Sequence, residues 1–346
     1  MKKFATLAVL AAASAASFAQ SSVTLFGVAD ATIQYGRGSV ENNTGMGSGG
    51  LQSSRIGFRG VEDLGGGLKA GFWLEAGYNL NNGNGQNSNA LAFKRRSTVS
   101  LMGDSWGEIR LGRDFTALYN NVYDAFGDNG VGGIIESQDL GLGYGLQTRT
   151  DNAVSYFTPK TLGGFFGQVQ YYRNGRSQSP ANNLDSVGNG YGIRVGYENG
   201  PLSIAGAYGE SDYDDATVGA NVDTKNFNIG GSYDFGVAKL LLTAGQDKGE
   251  ALGTSEKARY YAVGTTVPVG AGLIRAGWTR LSVSDSNAKA DKFALGYVHN
   301  LSKRTAVYTT VAYLKNKNGS DLALNGSETG LGKSSKGLDI GLRHAF

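Results

Sequence analysis

The chain has 346 residues, a formal net charge of +3 and no cysteine. Two of its lysines, Lys2 and Lys3, fall in a leader-like N-terminus, so the remainder is close to neutral; that argues against a nucleic-acid-binding domain or a polybasic membrane surface. The missing cysteines exclude disulfide staples, Cys-ligated metal sites and Cys nucleophiles, and leave stability to hydrogen bonding and packing.

Residues 1–19 read as a secretory signal peptide: Lys2 and Lys3, then an Ala/Leu-rich stretch to Ala16, then the small-x-small site Ser17-Phe18-Ala19, with the mature chain expected from Gln20. Beyond it, no run reaches the roughly eighteen apolar residues of a membrane helix. The mean hydropathy of −0.25 also suits strands in which only every second residue is apolar. Fifty-five glycines against four prolines, spread evenly with 18 Tyr and 15 Phe, fit close-packed strands rather than linkers.

In chain order, Ser22–Arg37 places Val23, Leu25, Ala29, Ala31, Ile33 and Tyr35 on one face and Thr24, Asp30, Thr32 and Gln34 on the other, the period-two signature of a half-apolar strand. A polar loop is expected over Gly38–Gly50. Alternating runs follow at Ser53–Val61, Leu68–Tyr78, Phe93–Met102 and Glu108–Asp114, joined alternately by tight turns such as Glu62–Gly67 and by longer Asn/Gly-rich loops. From Asn152 the rhythm continues through Phe165–Tyr172, Tyr191–Tyr197, Leu202–Tyr208, Phe227–Phe235, Ala238–Gly245, Arg259–Val267, Leu273–Leu281, Phe293–Val298, Ala306–Tyr313 and Gly337–Phe346. The count is sixteen runs. An even number of strands with alternating short and long connections predicts an all-β fold: a sixteen-stranded antiparallel transmembrane β-barrel, closed because lipid cannot satisfy an open sheet edge. No linker divides residues 20–346, which are read as one barrel.

One stretch breaks the alternation. Phe115–Thr148 carries Asp124, Asp128, Glu136 and Asp139, seven glycines, and no Lys, Arg or His. A loop of that length without regular structure is expected to be functional, here by folding into the barrel and narrowing it. On the strands beside it, Arg55, Arg59, Lys94, Arg96 and Arg110 lie opposite the apolar face. A charge facing lipid at the midplane costs roughly 2–4 kcal/mol, so these five are expected to point inward, and Arg149 to join them. More strand bases than loop acids predicts a weak anion preference.

Several segments resemble the β-proteobacterial branch of the Gram-negative general porins: Ser21–Asp30, Ser54-Arg55-Ile56-Gly57-Phe58-Arg59-Gly60-Val61-Glu62-Asp63-Leu64-Gly65, Gly107–Arg113 and the terminal Gly341–Phe346. The resemblance spans the whole mature chain. It implies a sixteen-stranded homotrimer in the outer membrane of a Gram-negative bacterium, whose third extracellular loop, Phe115–Thr148 here, folds inward. It also implies arginines at Arg55, Arg96 and Arg149 on the basic side of the constriction, Asp124, Asp128, Glu136 and Asp139 supplying the other side, and a terminal Phe346 read by the outer-membrane assembly machinery. Some members carry a Pro-Glu-Phe-Gly-type sequence in that loop; this chain has Asp124-Ala125-Phe126-Gly127-Asp128.

The function implied is a water-filled channel for passive diffusion of small hydrophilic solutes and ions, with outer-membrane lipid as surroundings, no cofactor and no nucleic-acid partner. The alternative is a surface barrel with a structural or adhesive role. An enzyme would need an assembled nucleophile site. His299 and His344 have no such motif nearby, and Gly141-Leu142-Gly143-Tyr144-Gly145 opens no helix after a strand, as a phosphate loop would. Trp73, Phe166 and Tyr172, the candidate inward aromatics, are too scattered for a sugar slide. Asp212, Asp214 and Asp215 read as a solvated acidic loop before a metal site.

Overall fold

The computed structural model describes residues 22–86, 90–127, 129–136, 139, 142, 144–173, 188–215 and 220–346, with 213–215 by backbone alone; the leader residues 1–19 lie outside these. The chain forms β1 (Ser22–Arg37), β2 (Asn42–Ser48), β3 (Arg55–Gly65), β4 (Leu68–Gly77), β5 (Arg96–Gly103), β6 (Gly107–Phe115), β7 (Arg149–Phe157), β8 (Phe165–Tyr172) and β9 (Gly190–Asn199). It continues with β10 (Leu202–Asp215), β11 (Ala220–Asp234), β12 (Lys239–Ala251), β13 (Thr254–Val269), β14 (Gly272–Val283), β15 (Lys289–Asn300), β16 (Thr305–Lys317) and β17 (Ser334–Ala345).

From β3 onward each strand pairs antiparallel with the next, and β17 pairs with β1 from Val28↔Ala345 to Arg37↔Lys336, closing the sheet. Phe346 completes the seam. Its N–H donates to the Gly27 carbonyl (3.0 Å), and the Gly27 N–H donates back (2.9 Å). A Cβ on Gly27 would stand 2.2 Å from the Phe346 ring, so the seam needs glycine there.

The other edge of β1 carries two strands in succession. β3 lies along Ser22–Val28 and β2 along Ala31–Arg37. β2 and β3 are therefore one descending strand interrupted at residues 49–54, and the barrel has sixteen strands. The loop expected over Gly38–Gly50 is thus mostly strand. Its sequence, polar and Gly/Asn-rich, carries no alternation because no apolar phase meets it there, while the backbone ladder continues. The same cause lengthens the strands read from Phe227, to Gly245 and from Arg259: β11 starts earlier, at Ala220, while β12 and β13 run on to a two-residue connection at Leu252-Gly253. Both residues there have φ above zero, at 51° and 77°.

The faces of the strands are inverted relative to a water-soluble sheet. On β11, Thr224, Asn226, Asn228 and Ser232 are buried, while Phe227, Ile229 and Tyr233 are exposed. A closed belt of exposed Val, Ile, Leu and aromatic side chains is what lipid, rather than water, requires.

Among the described residues, 115–148 contain two short 3-10 turns, Tyr119–Asn121 and Gly130–Gly132. Their base is tied by Thr116, whose N–H and hydroxyl donate to the carbonyls of Thr148 (3.1 Å) and Gln147 (2.6 Å). The segment packs on the polar face of the strands. Ala125, Phe126, Val131, Ile135 and Tyr144 bury themselves against Ala258, Tyr260, Leu281, Ala290, Ala294, Ala312 and Leu314, forming the largest apolar core among the described residues. The strands make room with glycine: a Cβ on Gly264 would meet Ala125 at 2.8 Å, and one on Gly337 would meet Val131 at 2.3 Å.

Candidate functional site: a basic wall facing a loop-clad wall

The basic side chains of β3 to β7 gather into two groups. In the first, Glu75 is the hub. Its carboxylate takes the Arg95 Nε at 2.7 Å, has Arg55 at 3.7 Å, and accepts from the Trp73 indole at 3.1 Å. Arg149 joins through its Nε, which donates to the Arg95 carbonyl at 2.8 Å, and lies 4.4 Å over the Phe115 ring. Among the described residues no carboxylate comes within ion-pair distance of Arg149. Two guanidiniums thus share one carboxylate, and a third, that of Arg149, stands beside them.

The second group is nearly neutral. Arg110 is bidentate to Glu108 (2.8 and 3.0 Å) and also bonds Asp114 (2.5 Å); Arg96 approaches Asp114 at 3.7 Å. Trp73 stacks two cations, Arg96 at 4.6 Å and Arg59 at 5.1 Å. Such contacts fix planar guanidiniums without cancelling their charge.

Of the residues expected from sequence, Arg55, Arg59, Arg96, Arg110 and Arg149 come together on this wall. Lys94 precedes β5, where its carbonyl accepts from the Arg113 Nε. Two arginines escaped the sequence reading. Arg95 shares the odd parity of Val99 and Leu101 and so is not picked out as inward, but β5 begins only at Arg96, so strand parity does not reach Arg95. Arg113 sits where the pairing of β6 with β7 slips between Gly112 and Asp114, and it bonds Asp151 at 2.6 Å.

The loop carboxylates have other neighbours. Asp124 accepts from the Phe126 N–H at 3.0 Å and is an attractive charge for Arg275, whose guanidinium lies 4.7 Å over Phe126. Glu136 is 1 % exposed, and its N–H donates to the Asp139 carboxylate at 2.8 Å; Asp139 in turn has Lys292 as its attractive charge. Asp128 lies outside the described residues. Arg275 and Lys292 belong to β14 and β15, across the sheet from Arg55 and Arg149.

Other contacts repeat that direction. The Asn121 amide donates to the Ala205 carbonyl at 3.0 Å, and Asn121 Oδ1 accepts from Arg194 at 3.1 Å. The Tyr123 N–H donates to Thr243 at 2.9 Å, and the Val131 N–H donates to Asp339 at 2.8 Å. The tip of the segment meets the break between β2 and β3, where Asn129 Oδ1 accepts from the Ser53 N–H and hydroxyl at 3.0 and 2.9 Å. That break is held by Asp30, whose carboxylate accepts from the Leu51 and Gln52 N–H groups and from the Tyr308 hydroxyl.

A closed antiparallel barrel, apolar on one face and charged on the other, is the architecture of a channel-forming membrane protein. The chain belongs to the Gram-negative porin family, which it matches over residues 6–319, and so to the outer membrane. It is 41% identical to outer membrane porin protein 32 of Delftia acidovorans, over 100% of this chain and 99% of that one. It is 32% identical to an outer membrane porin of Bordetella pertussis, over 91% and 94%. Its structure superposes on the anion-selective porin from Comamonas acidovorans with a TM-score of 0.84 at 38% identity, covering 94% of this chain and 100% of that one.

Proposed function

We propose that the channel passes small hydrophilic solutes and ions by passive diffusion with a preference for anions, and that residues 115–148 fold inward to form its constriction. The observation that carries this reading is the cluster of Arg55, Arg95 and Arg149 beside the single carboxylate of Glu75, which pairs with only the first two, while Asp124 and Asp139 have cations of the far wall as neighbours. An anion crossing the gap then meets fixed positive charge on one side and, on the other, a segment whose carboxylates brace the loop. The relative from Comamonas acidovorans described as an anion-selective porin supports the same sign. Arg96 and Arg59, carried on Trp73, extend the basic surface along the strands, and Arg110 serves mainly to hold Glu108 and Asp114.

In the same reading the leader 1–19 is removed on export, Phe346 is the mark read by the assembly machinery, and the barrel works as a homotrimer. The test is reconstitution into planar bilayers. Conductance in threefold steps and a reversal potential of anionic sign across a KCl gradient are expected; absence of conductance would leave a structural barrel instead.

A further inference from the structure

At one level of the inner wall, every strand from β13 to β17 presents a glycine or an alanine. The register sets Gly264, Gly277, Ala294, Ala312 and Gly337 side by side, each directly opposite the next. They share the inward phase, since Ala294 and Ala312 are buried while their sequence neighbours Phe293, Leu295, Val311 and Tyr313 are exposed. Larger side chains stand in the rows on either side: Thr279, Lys292 and Leu314 toward the long loops, and Arg275, Thr310 and Asp339 toward the short turns. The five small residues therefore floor a shallow trench that runs around the wall.

Ala125, Phe126 and Val131 of the loop lie in it. A Cβ on Gly264 would stand 2.8 Å from the Ala125 Cβ, one on Gly277 would stand 3.3 Å from the Phe126 ring, and one on Gly337 would run into the Val131 side chain. The rim grips the same residues. The Arg275 guanidinium lies 4.7 Å over Phe126, and Asp339 accepts from the Val131 N–H at 2.8 Å. Backbone conformation does not call for glycine at these places, because none of the three has a positive φ. What the absent side chains provide is depth. Carbon atoms in contact rest about 3.5–4.0 Å apart, so a methyl group at 2.8 Å would have to push Ala125 off the wall by about 1 Å.

We propose that this trench is the size-setting element of the channel: Gly264, Gly277 and Gly337 fix how far the loop stands from the far wall, and so the largest solute that passes. They act as positioning residues beneath the loop. The inference rests on the reading that residues 115–148 narrow the pore, and it assigns the width to wall positions that carry no charge.

Swelling of proteoliposomes in neutral sugars from a pentose to a trisaccharide, read beside single-channel conductance, tests it. Gly264→Ala should lower conductance and cut entry of the largest permeant sugar roughly threefold, with little change for the pentose. Gly277→Ala, where the clearance is longer, should act in the same direction more weakly. The reversal potential should keep its sign, because no charge is altered. Gly264→Ala/Ala125→Gly, which moves the methyl group from the loop to the wall, should recover both conductance and size limit; a defect confined to β13 would not recover. The double variant and Gly277→Ala carry the test if Gly264→Ala does not assemble. Phe126→Ala in the same assay separates the two readings. If it leaves the size limit native, the constriction itself is refuted and the trench with it. If it widens the pore while both single glycine variants keep the native limit, or if the double variant stays as narrow as Gly264→Ala, the trench proposal alone is overturned.

Discussion

The two walls of the barrel are built by opposite means. On β3 to β7 the polar face is dense in arginine, and what holds it is ion pairing, indole stacking and backbone carbonyls. On β13 to β16 the same face is largely Ala, Val, Leu, Gly and Tyr, and what holds it is the apolar side of residues 115–148. Packing on the second wall lets the loop keep its place without spending the cations of the first. On the proposed reading, the cations of the first wall are left to act on ions because hydrophobic burial fixes the loop elsewhere.

The largest expected effect comes from removing that asymmetry. One unit charge about 4 Å from an ion in water is worth about 1 kcal/mol, a factor of roughly five. The triple replacement Arg55→Gln, Arg95→Gln, Arg149→Gln should then lower the anion-to-cation permeability ratio by on the order of tenfold or more. A ratio unchanged within twofold would mean that the cluster is structural.

Loosening the other wall should change size rather than sign. Phe126 is 2 % exposed at the centre of the loop's core, and truncating a buried Phe to Ala costs about 3–5 kcal/mol. Phe126→Ala should leave the barrel folded by circular dichroism while single-channel conductance rises and becomes noisier. Native, quiet conductance would show that the segment does not narrow the pore.

A smaller, opposite shift is expected at the hub. Glu75→Gln frees Arg55 and Arg95 of their carboxylate, so the permeability ratio should move toward anions by at most about fivefold. A move toward cations would reverse the assigned role of Glu75.

Much of this architecture is legible in the sequence, for a physical reason. Lipid imposes an apolar phase on every second residue, so each strand announces itself within the membrane, and a charge opposite that phase must face inward. Arg55, Arg59 and Arg96 are found that way, and Glu75 lies on the same polar phase. Outside the bilayer the rule lapses. Asn42–Ser48 reads as loop because nothing apolar marks it, and Arg95 is missed because the run is read from Phe93 whereas the strand begins only at Arg96. The placement of the loop depends on contacts distant in sequence, such as Asn129 with Ser53 and Val131 with Asp339, to which local periodicity is blind. Its acidic composition suggests a charged gap, whereas burial of Glu136 and the proximity of Asp124 to Arg275 and of Asp139 to Lys292 depend on the fold.

The reversal potential of the Asp124→Asn/Asp139→Asn protein across a KCl gradient tests the division of labour most directly. If the loop carboxylates are spent on the far wall, it should keep the native value and its anionic sign. A shift toward anions as large as the opposite shift caused by Arg149→Gln would contradict it, and would place those carboxylates in the ion path.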